Sequence, residues 1–230
     1  MKDVICSSAY FGFVISILAY YIGTRLKKKY KLALLNPLLV AMVLVIAALV
    51  IFRIDYDSYN TGARYISYLL TPATVCLAIP LYQQLELLKH NLAAVLISIT
   101  AGVLASLGSI FLLSLLFGLN SPQYITLLPK SITTAIGISL SEELGGIPNI
   151  TMAAIIITGI LGNMIGEAVC KAFRIRHPIA VGLAFGTASH AIGTSKALEL
   201  GEIEGAMGSL SIAVSGLITV LTASVFANFI

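Results

Sequence analysis

The sequence predicts an all-α polytopic membrane protein with about six full crossings plus two broken or re-entrant helical hairpins forming an inverted repeat. Two observations lead there. The 230 residues are 58% hydrophobic and 10% charged, with a mean hydropathy of +0.99. A soluble globule of that composition has too few charges to cover its surface, so lipid must cover it. The second observation is internal duplication. The pattern Ala135-Ile136-Gly137-x-Ser139-x-x-x-Glu143-Leu144-Gly145-x-Ile147 recurs 56 positions later as Ala191-Ile192-Gly193-x-Ser195-x-x-x-Glu199-Leu200-Gly201-x-Ile203. Short duplicated segments carrying Gly, Ser and a carboxylate point to paired broken elements around a central transport site.

Runs free of Asp, Glu, Lys and Arg give the helices in order, since about twenty such residues span a hydrocarbon core. The first, 4–24, is too long for the apolar part of a signal peptide and has no small-x-small cleavage site after it, so it is expected to stay as a helix. Arg25, Lys27, Lys28, Lys29 and Lys31 follow as the densest basic cluster and are expected in a cytoplasmic loop, which puts the N-terminus outside. A second helix over 32–52 leads to an outer loop with Arg53, Asp55, Asp57 and Arg64. The third, 65–85, contains Pro72 and Pro80 and is expected to kink. The fourth runs from 91 to 117 and ends at the Gly118-Leu119-Asn120-Ser121-Pro122 turn.

Parity bears on the rest. Two full crossings over 123–147 and 149–170 would leave Lys171, Arg174, Arg176 and His177 outside, against the positive-inside tendency. A re-entrant hairpin over 123–147 followed by one crossing brings them inside. The second copy, 178–204, then enters from the cytoplasmic face and turns near His190 to Thr194, and a final helix over 203–229 ends outside. Two discontinuous full crossings with parallel copies remain the alternative. The whole of 1–230 reads as one integral membrane domain, with 1–90 as scaffold helices and 123–147 and 178–204 as the repeated hairpins.

Chemistry-bearing residues cluster at the two hairpins. Lys130 stands between long uncharged stretches, 91–129 and 131–141, with Ser131, Thr133 and Thr134 beside it. A charge at membrane depth costs roughly 2.5 kcal/mol or more unless it meets water, a partner or a substrate. An ammonium with hydroxyl donors and the free N–H groups of a broken helix end suits a small carboxylate. The plainer reading has Lys130 reach the interface and the hydroxyls bond their own helix. In the second stretch, Gly186 to Lys196, His190 precedes Gly193, Thr194 and Ser195. Its imidazole can orient a carboxylate or carry a proton, or bond a carbonyl across the bundle. Glu143 and Glu199 are repeat equivalents suited to hairpin ends, pairing with Lys130 or Lys196. Gly159, Gly162 and Gly166 form a small-residue stripe for helix packing, with Asn163 among them.

Several classes drop out. Cys6, Cys76 and Cys170 are scattered singly without metal spacing. The net charge of +4 reports orientation rather than nucleic-acid binding. There is no His-Glu-x-x-His, no Gly-x-Ser-x-Gly and no phosphate loop, so no catalytic residue, metal or cofactor is expected.

Three ordered motifs carry a family resemblance: Pro129-Lys130-Ser131-Ile132-Thr133-Thr134, Gly145-Gly146-Ile147-Pro148 and His190-Ala191-Ile192-Gly193-Thr194. In these the chain resembles the LrgB/CidB family, most strongly over 123–210, departing at Ala135-Ile136-Gly137 where many relatives have Pro-Ile-Ala. The resemblance implies a bacterial plasma-membrane protein and two functional pictures. One is an antiholin-like modulator of murein hydrolase activity and autolysis, working with a small LrgA-like or CidA-like membrane partner. The other is a carrier of small monocarboxylates such as pyruvate, glycolate or glycerate. The carrier is the leading expectation, with Lys130, Ser131, Thr133, Thr134, His190, Gly193, Thr194 and Ser195 as substrate-binding residues. Homodimerisation through the apolar first two helices is a further expectation.

Overall fold

The computed structural model describes residues 10–30, 32 and 35–230, and every regular element among them is helical. Two compact units divide the chain, one up to Cys76 and the other Leu77–Ile230.

The first unit holds α1 (Phe11–Tyr30), α2 (Pro37–Ile51), α3 (Tyr56–Ser67) and α4 (Leu70–Cys76). The start of the first expected helix, with Cys6, lies outside the described residues. The basic cluster is not in a loop: α1 continues through Arg25, Lys27, Lys28 and Lys29. Lysine and arginine are good helix formers, and cations at a helix C-terminus complement its dipole, so helicity persists past the apolar run. The expected outer loop likewise shrinks to 52–55, because Asp55 accepts from the Asp57 N–H at 2.9 Å and starts α3, which takes up Asp57 and Arg64. Asn36 caps α2 in the same way, with Pro37 at its first position.

The second unit contains the short helices α5 (Ala78–Gln83) and α6 (Leu85–His90), then α7 (Leu92–Phe117), α8 (Ser121–Leu127), α9 (Thr134–Leu144), α10 (Pro148–Ala172), α11 (Pro178–Leu200) and α12 (Glu202–Phe226). The kinks expected around Pro72 and Pro80 take the form of interruptions between α3 and α6, at 68–69, 77 and 84. Gly118, in the left-handed conformation at φ 64°, ends α7. A reciprocal Asn120–Gln123 capping box then starts α8. Val95, Ile99, Val103, Leu107 and Ile110 make one buried face of α7, packed with Tyr124, Leu128, Leu183 and Met207. Leu96, Ile97, Leu104, Leu112 and Leu116 on the same helix are exposed, which only a lipid environment tolerates over such an area.

Among the described residues, four helical stretches are long and apolar enough to cross a membrane: Tyr56–Gln83, Leu92–Phe117, Pro148–Ala172 and Glu202–Phe229. The chain is therefore an integral membrane protein.

The duplication extends well beyond thirteen residues. Shifting α7 by 56 positions lands it on α10, and the same shift carries α8 onto the first half of α11 and α9 onto its second half. Local packing repeats too. A side chain on Gly137 would press on the carbonyl of Pro129 at 3.3 Å, and one on Gly193 would strike that of Phe185, the same eight residues back in each copy. Leu140 in the first copy packs in a small buried apolar cluster with Ala223, while its equivalent in the second copy, Lys196, lies 3.7 Å from Glu167.

Candidate functional site

Both copies of the repeated pattern begin at a break in helical structure. In the first, α8 ends ahead of Pro129, which has no N–H to continue a helix. Two successive turns follow, Lys130 N to Leu127 O at 3.1 Å and Ile132 N to Pro129 O at 3.3 Å. Extended backbone at Thr133 then starts α9. The chain returns beside its entry: Thr151 Oγ1 donates to the Thr126 carbonyl at 2.9 Å and lies 2.6 Å from Ser141 Oγ, while the Ile147 N–H donates to Thr126 Oγ1 at 2.8 Å.

In the second copy, α11 is interrupted at Ser189 (φ −137°, ψ 18°) and His190 (φ 43°, ψ −140°), at the near edge of the turn expected over 190–194. Phe185 and Ala197 share a buried cluster across the break, as only a folded-back segment permits. A positive φ is unfavourable for histidine and persists only where surroundings impose it. Here they do: His190 is 4% exposed, and its Nε2 donates to the Ile155 carbonyl at 2.9 Å. The stripe on α10 accommodates this break. Side chains on Gly159, Gly162 and Gly166 would overlap His190, Ser189 and Phe185 respectively. The stripe is a packing surface, and its specific load is the second hairpin.

A cavity of about 660 Å³ lies in this unit between α7, the first break and the entering half of α11. From α7 come Ser98, Gly102, Ser106 and Ser109, with Asn91 just preceding it; from the break, Lys130 and Ser131; from α11, Thr187, with His177 just preceding it, among others. Lys130 Nζ donates to Ser131 Oγ at 3.3 Å, and Ser131 Oγ lies 3.0 Å from Ser106 Oγ. Within residues 77–230 no carboxylate lies in ion-pair range of Lys130, and none lines the cavity. The arrangement offers an ammonium and a row of hydroxyls to a small anion.

The expected site residues separate. Lys130 and Ser131 line the cavity. Thr133 is the residue preceding α9 and makes no side-chain cap bond, and Thr134 opens that helix; neither lines the cavity. His190 is tied to Ile155, Gly193 is packed on Phe185, and Thr194 is fully buried with no partner for its hydroxyl. Ser195 Oγ donates to the Ile192 carbonyl at 2.7 Å and accepts from Asn163 Nδ2 at 3.3 Å. Lys196 pairs with Glu199 at 3.1 Å, as its hairpin-end position suggested, whereas Glu143 makes no ion pair among the described residues.

Ser106, Ser98, Asn91 and Thr187 join the site only through the fold, since no charge or motif marks them in the sequence. A readable signal existed on α7: Asn91, Ala94, Ser98, Gly102, Ala105 and Ser109 recur every three or four residues, a small and polar stripe along an otherwise apolar helix. Among the described residues no group of three or more His, Cys, Asp and Glu is placed to hold a metal.

Comparison with known proteins agrees with the motifs. The chain matches the LrgB-like family over residues 16–229. It is 43% identical over 222 residues to the antiholin-like protein LrgB of Bacillus cereus strain B4264, covering 96% of each chain. The same identity and coverage hold for the antiholin-like protein LrgB of Bacillus anthracis strain A0248. No solved structure matches. With that coverage and identity, the chain belongs to the LrgB-like family.

Proposed function

We propose that the protein carries a small monocarboxylate of the pyruvate, glycolate or glycerate class across the bacterial plasma membrane, with Lys130 holding the carboxylate. The observation that carries this reading is the cavity: Lys130 without a carboxylate partner in its unit, set beside Ser131 and Ser106, in a chamber with no acidic lining. Repeated units of one long helix plus one folded-back hairpin support an inverted arrangement. If each hairpin enters and leaves by the same face, each unit crosses once, and its successor is inverted. The basic residues of α1 and of 171–177 then lie in the cytoplasm and the N-terminus outside. Proteoliposomes containing the purified chain should show saturable uptake of at least one labelled acid of this class, with its dependence on a proton gradient measured alongside. No uptake of pyruvate, glycolate or glycerate, with or without a small LrgA-like or CidA-like partner, overturns the proposal.

A second reading is an antiholin-like modulator of murein hydrolase activity and autolysis, acting through assembly with such a partner. The relatives speak for it more directly than for transport, because antiholin-like is the name they carry. Lys130→Met separates the two. If assembly is the activity, autolysis control survives the substitution; if control is lost together with uptake, it runs through passage of the anion.

A further inference from the structure

Beneath the large cavity lies a void of about 10 Å³ lined by Ser106, Ser131, Thr187 and Thr219 together with Val103, Leu107, Leu128 and Ile132. The first three also line the large cavity, so the two spaces adjoin next to Lys130. A space of that size admits about one oxygen-sized group, and its hydroxyls suit a polar one. One of those hydroxyls lacks a partner. Thr187 is 8% exposed, and its Oγ1 makes no hydrogen bond, although a buried hydroxyl is normally satisfied. Its methyl lies against Gly102 of α7, where a Cβ would meet it at 2.8 Å.

We infer that this void is the subsite for the second oxygen of the transported acid, the hydroxyl or keto oxygen on the carbon next to the carboxylate, and that Thr187 is its specificity-determining residue. The inference rests on the carrier reading above. With the carboxylate at Lys130, the adjacent oxygen reaches between Ser106, Ser131 and Thr187, and the unpartnered Oγ1 gains its bond. The Lys130 ammonium, one hydroxyl away, disfavours a cation in the same space. A plain alkanoate leaves Thr187 unpaired, and a site built to bond a substrate hydroxyl rejects the analogue that lacks it.

Glycolate and acetate differ by this one oxygen, so their uptake by proteoliposomes of the full chain is the test. The wild type should favour glycolate, T187V should lower the glycolate-to-acetate ratio roughly tenfold, and T187S should restore it. Equal wild-type uptake of the two acids overturns the inference whatever the variants do. So does an unchanged ratio in folded T187V, which would mean the void holds a resident water only. Failure of the wild type to take up any carboxylate overturns the carrier reading, and this inference with it.

Discussion

Replacing Lys130 by methionine should make the protein more stable and less active, and the opposed signs are what make the substitution informative. The side chain is half-buried, its one hydrogen bond runs to Ser131 at 3.3 Å, and no carboxylate in its unit offsets its charge. Holding an unpaired charge at membrane depth costs up to roughly 2.5 kcal/mol, and less than that here because the half-buried ammonium lines the cavity. Losing a long bond to a hydroxyl gives back about 1 kcal/mol. Methionine fills nearly the same volume without charge, so the substrate-free protein should gain on the order of 1 kcal/mol, a rise of a few degrees in thermal unfolding. Uptake moves the other way. A charge-assisted bond to a carboxylate is worth about 1.5–3 kcal/mol, so half-saturation should weaken roughly tenfold to a hundredfold. Thermal unfolding in detergent and proteoliposome uptake on one preparation measure both. Parallel loss of stability and uptake would make Lys130 a structural residue, and unchanged uptake would remove it from the site.

Thr151→Val strips the hydroxyl that ties the first hairpin together and strands the Thr126 carbonyl and Ser141, so it should cost about 1–3 kcal/mol in thermal unfolding. His190→Ala removes the bond to the Ile155 carbonyl and empties the space against Gly159, and should cost about 1–3 kcal/mol; a variant as stable as the wild type would mean that the bond contributes nothing. Gly162→Leu thrusts a side chain into Ser189 and should lower folded yield along with every activity, since it displaces the second hairpin. Glu167→Gln should shift unfolding by less than about 1 kcal/mol, because its pair with Lys171 is largely exposed and its pair with Lys196 is long, at 3.7 Å.

The sequence displayed the helices wherever one physical signal dominated. Long apolar runs gave α7, α10 and α12 within a few residues, because length and hydropathy alone define a spanning helix. Polar stretches misled: the Arg25–Lys29 segment was charged and therefore read as loop, although its residues favour helix. At the site, Lys130 was legible because an isolated charge in a long apolar run demands an explanation. Thr187 and Ser106 were not, since single hydroxyls inside apolar helices usually bond their own turn. Only the packing of three separate elements shows that Ser106 faces Ser131 and that Thr187 has nothing to bond.

The two copies of the repeat keep the same backbone device and have diverged in what they place on it. Each breaks before Ala-Ile-Gly, folds the glycine onto a carbonyl eight residues back, and ends at Leu-Gly. Around the first break the chain places an ammonium and hydroxyls beside a chamber, and fastens the returning arm with Leu140 and Ala223. The second break is locked by the His190 bond to Ile155, and its returning arm carries the Lys196 pairs with Glu167 and Glu199 on its outer side. A symmetric pair of binding sites is therefore not what the duplication produced. The first hairpin brings its break, with Lys130 and Ser131, to the cavity, while the second lines it only with its entering half, including Thr187. Any movement that exposes Lys130 to opposite faces in turn must then work against unequal fastenings: a hydroxyl network with apolar contacts in the first hairpin, and in the second the His190 bond and close packing with one ion pair, Lys196 to Glu167, added. Salt screens exposed ion pairs and leaves apolar contacts intact, so raised ionic strength should ease release of the second hairpin selectively. Hydrogen exchange of α11 against α9 in the intact protein tests this. Faster exchange at high salt in both hairpins alike would show that the two arms are not held by the forces their side chains imply.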